Sequence, residues 1–194
     1  MTHVKHFLNK KGGETPRELA EFLHRANGGV LYVFGANGVF VAAANEYVSA
    51  LIPVLETKDR SRFIRGLEAV RPYVKLFSKV PAEVMSRALN YARLVHREGG
   101  HELYLSLDPV GNWVLSTLPD ENGADPVVLR LHYNESGCAL TRMTESGETP
   151  RIVGDVWGFT AGMPHVRFRI GIMAHQAVIS HRLVFEQGVE VIDA

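Results

Sequence analysis

The chain has 194 residues, of which 46% are hydrophobic and 22% charged, which is enough for one ample core or two small ones. Its 21 Lys and Arg residues equal its 21 Asp and Glu residues, which excludes a strong overall field toward nucleic acid or an anionic membrane. The single cysteine, Cys138, excludes an intrachain disulfide and any site built from several cysteines. One thiol suits a reducing compartment, and no apolar run approaches a membrane span, so we expect a cytoplasmic protein without a membrane partner.

The first predicted element is a helix that begins near Thr15. Thr15 and Glu18 form a capping box, and Pro16 fits the first helical position, where its missing N–H is harmless. Residues 27–29, Asn-Gly-Gly, end the helix. The residues that share its apolar face are Leu19, Phe22, Leu23 and Ala26.

A β-hairpin is expected next, with strands at residues 30–34 and 39–43. Asn37-Gly38 lies between them, and both residues tolerate the positive φ angles of a type I′ turn. Both strands are apolar on both faces, which predicts that the hairpin is covered on both sides.

The stretch from 44 to 77 is less regular. Residues 49–55 are apolar but contain Pro53, which removes a ladder donor, and residues 70–77 are a candidate strand. The intervening basic residues are Lys58, Arg60, Arg62 and Arg65. Basic residues near aromatic ones suit single-stranded nucleic acid. The zero net charge favours a solvated face instead, so nucleic acid is not the expected partner.

The second predicted helix covers residues 81–97, between Pro81 and a Gly-Gly pair. Its apolar stripe comprises Val84, Ala88, Ala92 and Val95, with Met85 and Leu89 beside it. The period then changes to two, and strands are expected near 102–107, 113–118, 127–133, 138–143, 151–157, 166–172, 180–186 and 189–193. This order predicts an α+β fold in which helices flank a mixed, mostly antiparallel sheet.

Several short segments occur in an order found in a known family. They are His101-Glu102-Leu103-Tyr104 after the second helix, Trp113-Val114-Leu115 with Pro119, Val153-Gly154-Asp155-Val156, and Met163-Pro164. In this order the chain resembles the JAB/MPN (Mov34) fold, whose members include zinc isopeptidases.

The first part of the chain carries a second resemblance. The segments are Asn37-Gly38-Val39-Phe40-Val41, Leu51-Ile52-Pro53-Val54 and Arg65-Gly66-Leu67. They resemble the N-terminal extension of PRTRC system protein A, from a bacterial plasmid or integrative-element cassette. Together the resemblances imply a helix–hairpin extension over residues 1–77 and a JAB/MPN-like domain over residues 78–194.

The family's active pattern is a glutamate, then His-x-His, then a serine and an aspartate. Glu102 matches the glutamate, whereas Trp157 and Phe159 occupy the two histidine positions, and residues 160–170 contain no Ser-x-x-Asp. Zinc in hydrolases needs three protein ligands and an open position for water. The resemblance therefore implies a pseudoenzyme without a cofactor. Its expected partner is another protein, ubiquitin-like or from the same cassette, and homo-oligomerisation stays open.

Two alternatives remain. A displaced metal site for zinc, iron or manganese would need Asp155, His132, His165 and His175 to converge, and would give a hydrolase using Glu102 or Asp155. No ligand-spaced histidine pair occurs, which favours surface histidines. The other alternative is a nucleic-acid-associated module that uses the basic residues 58–65. Cys138 precedes an apolar run and is typical of a buried thiol rather than a nucleophile.

Overall fold

The computed structural model describes residues 5–11, 29–95, 101–118, 127–133 and 149–193. The chain divides into two compact units. The first runs up to Phe77 and also includes Pro150 and the segment Gly171–Ala177. The second begins at Ser78 and includes Arg151–Ile170 and the chain from Val178 onward. The predicted helix near Thr15, the predicted strand at 138–143, Cys138 and Pro119 lie outside the described residues.

The first unit contains a five-stranded sheet in the order β1-β2-β3-β4-β5. Strand β1 runs parallel to β2, and the remaining neighbours are antiparallel. The strands are β1 (Lys5–Leu8), β2 (Val30–Gly35), β3 (Gly38–Ala44), β4 (Val48–Glu56) and β5 (Tyr73–Leu76). The predicted strand at 70–77 is thereby confirmed.

The predicted hairpin is confirmed, but its turn type is wrong. Strands β2 and β3 pair with Gly35 opposite Gly38, so Ala36 and Asn37 are the central residues. Neither has a positive φ, whereas Gly38 has a φ of 145°. A type I′ turn requires positive φ at both central positions. The Asn37 side chain instead forms two hydrogen bonds with the backbone of Val70, a residue outside the hairpin, and these bonds fix the turn.

Burial on both faces of β3 confirms that the hairpin is covered on both sides over most of its length. Phe40 and Ala42 belong to the apolar core of the unit, and Val41 and Ala43 on the opposite face are equally buried. Pro53 does not end β4, contrary to the expected break. Pro53 lies beyond the last β4–β5 pair, Leu51 with Tyr73. No described β5 residue is paired with it, so its missing N–H removes no hydrogen bond to β5.

The second sheet has the order β11-β10-β9-β8-β6-β7, with β12 paired to β10, and its strands β6 to β9 lie entirely in the second unit. Strands β8 and β9 are parallel, whereas β6 is antiparallel to both β7 and β8. The strands are β6 (His101–Leu107), β7 (Trp113–Ser116), β8 (Val127–Tyr133), β9 (Arg151–Thr160), β10 (Met163–Ile172), β11 (His175–Ile179) and β12 (Ile192–Asp193).

Two helices accompany this sheet in the part of the chain that the structure describes. Helix α1 (Ala82–Val95) packs on β6 and β7, and the predicted stripe is buried except at Val95, which is half-buried. Helix α2 (His181–Val184) lies where a strand at 180–186 was predicted, and that prediction was wrong. The Ser180 hydroxyl accepts a hydrogen bond from the Arg182 backbone and caps a helical turn there.

The protein is α+β, as predicted, and its described sheets contain both parallel and antiparallel pairs. Within the described ranges, neither helix has the length and apolar character that a bilayer crossing requires. The second sheet matters for function because its central strands position the candidate site.

Candidate functional site

A row of three ionisable side chains crosses the middle of the second sheet. Glu102 on β6 lies opposite His132 on β8, and His132 lies opposite Asp155 on β9. Directly opposed residues project from the same face of a sheet, so the three form a continuous line, here called the polar row. Strand β8 separates the strand that carries Glu102 from the strand that carries Trp157.

The adjoining row on the opposite face explains a glycine in the resemblance motif. Leu103, Leu131 and Gly154 are successive cross-strand partners. A Cβ atom at Gly154 would lie 2.6 Å from both the Leu131 and the Phe168 side chains. Gly154 is therefore required by close packing beneath the polar row.

Glu102 is held by two neighbours. Its carboxylate accepts hydrogen bonds from the Tyr104 hydroxyl and from the Arg130 guanidinium, which also forms an ion pair with it. The Arg130 guanidinium lies 5.7 Å from the centre of the Tyr104 ring. Burial acts to raise the pKa of Glu102, but the hydrogen bonds from Tyr104 and Arg130 and the nearby positive charge outweigh it and lower that pKa. Glu102 is thus an ionised, engaged carboxylate.

Asp155 forms a buried ion pair with Arg169. Its Oδ2 atom lies 3.0 Å from Nε and 2.7 Å from an Nη of Arg169. The side chains are only 12% and 5% exposed, respectively. Separating such a pair would leave a buried charge without a partner, which is strongly unfavourable. The Asp155 and Arg169 side chains are therefore fixed against each other.

Trp157 and Phe159, the residues that the resemblance assigns to the histidine positions, contact different neighbours. The Trp157 ring centre lies 6.1 Å from that of His165 and 5.5 Å from the Arg167 guanidinium. The Phe159 ring stacks on Tyr133 at 6.4 Å. Gly158, with a φ of 63°, lies between them in a backbone conformation that favours glycine. Neither ring is fully buried, so they do not fill one closed cavity together.

The four residues of the alternative metal site are distributed as follows. His132 and Asp155 are cross-strand neighbours in the polar row. The His165 Nε2 atom lies 2.8 Å from the Thr160 hydroxyl. His175 belongs to the first unit, where its Nε2 atom lies 3.2 Å from the Tyr32 hydroxyl. Across the described part of the chain, no three His, Cys, Asp or Glu side chains form a group that could hold a metal ion.

The basic residues of the predicted patch belong to the first unit, whereas the polar row belongs to the second. Lys58, Arg60, Arg62 and Arg65 are all exposed, and residues 60–62 form a single 3₁₀ turn. Arg62 Nε lies 3.4 Å from the carboxylate of Asp59, which caps the turn. This stretch has the solvent exposure that a binding surface requires.

Arg130 and Arg169 are the site residues that sequence reasoning missed. Each is a cation inside an otherwise apolar strand, Arg130 between Leu129 and Leu131, and Arg169 between Phe168 and Ile170. A charged residue at such a position needs a partner of opposite charge. That pattern could have indicated two paired carboxylates across the sheet, although not which ones.

Comparison with known proteins gives no relative from which a role could be transferred. Family models, curated proteins and solved structures all gave no match to this chain. The geometry of the polar row and of the exposed surfaces is therefore the basis for function.

Proposed function

We propose that the chain is a non-catalytic protein-binding module whose second unit is a JAB/MPN-like scaffold of the PRTRC protein A kind. The observation that carries this proposal is that both carboxylates of the polar row are engaged by guanidinium groups. Glu102 is bound by Arg130, and Asp155 by Arg169.

Engaged carboxylates are poorly suited to the chemistry of the active family. A metal-bound water must be deprotonated by a carboxylate that is free to accept the proton. A hydrogen bond from Arg130 and a lowered pKa make Glu102 a weak base. The Oδ2 atom of Asp155 could ligate a cation only by leaving Arg169, which would strand a buried guanidinium. Both residues therefore act as structural partners in this proposal.

The order of elements supports the JAB/MPN-like interpretation. Helix α1 precedes the strand in which Glu102 is the second residue, and β9 contains the Val153-Gly154 lead-in. The family's ligand positions carry Trp157 and Phe159, which contact other aromatic and cationic side chains. The proposal includes no cofactor, a cytoplasmic setting, and a partner that is ubiquitin-like or encoded by the same cassette.

The edge of the second sheet offers a contact for such a partner. Among the described strands, β7 ends the sheet and pairs only with β6. Val110 and Leu118, on either side of β7, are among the most exposed large apolar residues. An extended partner segment can add to an edge strand through its backbone and place apolar side chains against such flanks.

One observation favours a second candidate, a metal-dependent hydrolase with a displaced site. The polar row places Glu102, His132 and Asp155 in succession across three strands. Activity would require Arg130 and Arg169 to release both carboxylates. Release would leave the two guanidinium groups unpaired in buried or partly buried positions, and this cost makes the hydrolase the weaker candidate.

Zinc content and catalysis separate these candidates. The tag-free protein is incubated with zinc, dialysed and measured by elemental analysis, and hydrolysis of ubiquitin-like isopeptide substrates is assayed in parallel. We expect no stoichiometric zinc and no turnover. One zinc per chain, with turnover that Glu102→Gln abolishes, would show that the protein is the hydrolase.

Binding is tested by calorimetry against a ubiquitin-like protein and against each purified cassette protein. We expect one of them to bind, and Leu118→Asp to weaken that binding about tenfold. Leu94→Asp, an equally drastic change at an exposed position of α1, serves as the matched control. Absence of binding to all of them would remove the proposed role.

A further inference from the structure

A line of exposed apolar side chains crosses the first sheet near its β2–β3 turn. Leu8, Phe34, Val39 and Leu55 are successive cross-strand partners on β1 to β4, so they project from one face. Leu8 and Leu55 are 51% and 70% exposed, and the two between them are partly exposed. These four residues are here called the apolar row.

The apolar row marks the point where burial of this face stops. One row further from the turn, His6, Tyr32, Val41 and Ile52 are the corresponding partners, and Val41 and Ile52 are fully buried. Single exposed apolar residues are common, whereas four adjacent ones across four strands form a contiguous patch. Such patches mark interaction sites in soluble proteins.

A basic loop is fixed beside the apolar row. The backbone N–H of Thr57 donates to the Asn37 carbonyl, and that of Ile64 to the Ala36 carbonyl, both at 2.9 Å. Ala36 and Asn37 form the turn that joins β2 just after Phe34 to β3 just before Val39. Residues 57–65, here called the basic loop, are therefore tied at two points to the turn beside Phe34 and Val39, the two middle residues of the apolar row.

The basic loop is cationic and exposed. It contains Lys58, Arg60, Arg62 and Arg65 against one acidic residue, Asp59, which gives four positive charges less one negative, or +3. Arg62 pairs with Asp59. The other three cations make no ion pair with any residue that the structure describes, and all are exposed to solvent.

We propose that the apolar row and the basic loop together bind a segment of a partner protein that carries large apolar side chains next to Asp or Glu. The apolar row supplies the area that a leucine-like or aromatic anchor would bury. The basic loop supplies the opposite charge, which steers association and excludes basic segments. The proposal adds a second binding surface to the proposed protein-binding role. It rests on that role in one respect, that the chain binds protein.

The chemistry of the surface favours protein over nucleic acid. Single-stranded nucleic acid is bound by cations interleaved with aromatic platforms. Three of the four residues in the apolar row are aliphatic, and Phe34 is the single aromatic ring among them. The chain has no net charge to draw it onto a polyanion.

A random peptide library displayed on phage, selected on the full-length chain, identifies the ligand chemistry directly. We expect selected peptides to combine acidic residues with large apolar ones. Fluorescence anisotropy of labelled peptides should then show binding that weakens about tenfold in Leu55→Asp and in Arg60→Glu. Binding should also weaken as salt rises, because screening reduces the contribution of the charges.

Controls use equivalent changes in the second unit. Leu94→Asp and Arg87→Glu alter exposed positions of α1 and should leave peptide binding unchanged. Leu8→Asp replaces Leu55→Asp if circular dichroism shows that the latter unfolds. Selection of no peptides, of peptides without acidic residues, or of peptides that bind all variants equally would overturn the proposal.

Two further measurements identify which idea fails. A labelled single-stranded DNA that binds at about 50 mM salt, where phosphate contacts are strong, and that loses binding in Arg60→Glu would overturn the protein assignment in favour of nucleic acid. If Leu55→Asp and Arg60→Glu abolish peptide binding while the partner of the second unit still binds, both proposals hold. If zinc and turnover are found but peptides still bind here, only the non-catalytic role fails.

Discussion

Both polar atoms of the Asn37 side-chain amide form hydrogen bonds with the backbone of Val70. Its Nδ2 donates to the Val70 carbonyl at 2.8 Å, and its Oδ1 accepts from the Val70 N–H at 2.7 Å. Both residues are buried, and 33 positions separate them in sequence. The Asn37 side chain therefore satisfies the backbone N–H and carbonyl of Val70, as a neighbouring strand would.

Asn37→Ala should destabilise the protein by about 2–4 kcal/mol, because it leaves the buried N–H and carbonyl of Val70 without partners. Urea unfolding followed by circular dichroism measures the effect. Asn112→Ala is the control, since Asn112 is exposed and its side chain donates to the exposed carboxylate of Asp108. Equal losses in the two variants would mean that the Asn37–Val70 bonds contribute no more than a surface contact.

Gly154→Ala should destabilise the protein by about 1–3 kcal/mol through overpacking. The added methyl group would lie 2.6 Å from Leu131 and from Phe168, both of which are buried. Gly29→Ala is the matched control, because no atom lies within 4 Å of its added methyl group. Its effect should stay below about 1 kcal/mol. Comparable midpoints of thermal unfolding for both variants would contradict the packing argument.

Arg169→Met should destabilise the protein by about 3–5 kcal/mol, because it leaves the Asp155 carboxylate buried and unpaired. The double variant Asp155→Val, Arg169→Met should recover most of this loss, since apolar pairs often replace buried ion pairs without penalty. Chemical unfolding of both single variants and the double variant gives the coupling energy. Arg62→Met, which removes the exposed pair with Asp59, should cost no more than about 1 kcal/mol. A small coupling energy at Asp155 would show that the pair is dispensable.

Glu102 should make stability depend on pH in a defined direction. Its folded pKa is lowered, whereas an unfolded glutamate has a pKa of about 4.3. The ionised Glu102 therefore stabilises the folded state above the unfolded pKa, and this contribution is lost as pH falls through the folded pKa. The difference in unfolding free energy between wild type and Glu102→Gln should thus be constant near neutrality and shrink in acid.

Near neutrality that difference should be about 1 kcal/mol, because Glu102 and Arg130 are partly exposed and solvent screens them. Unfolding measured at several pH values provides the test. Glu186→Gln serves as the control, since Glu186 is exposed and forms no ion pair with a described residue. A difference that grew on acidification would reverse the assigned sign.

Local sequence patterns predicted the elements that local contacts determine. The β2–β3 hairpin and helix α1 follow from turn residues, a helix-starting proline and apolar periodicity within a few positions. The turn type was missed because Asn37 is committed to Val70, a partner far along the chain. The helical turn at His181–Val184 was missed because an apolar run of that length fits a strand equally well.

The candidate site was predictable only in part for the same reason. Glu102 and Asp155 were identified as chemically interesting, but their partners Arg130 and Arg169 depend on strand order. That order includes a parallel pair, β8 with β9, directly beside the antiparallel pair of β6 with β8. Sequence periodicity carries no information on which strands become neighbours.

The segment Gly171–Ala177 belongs to the first unit although most of that unit precedes residue 78. His175 in this segment lies within hydrogen-bond distance of the Tyr32 hydroxyl. Pro150, which also belongs to the first unit, accepts a hydrogen bond from Asn45. A nascent chain emerges from the ribosome N-terminus first. The first unit is therefore completed only after residue 177 has been synthesised, and a fragment cut at residue 77 lacks contacts that its own sheet makes.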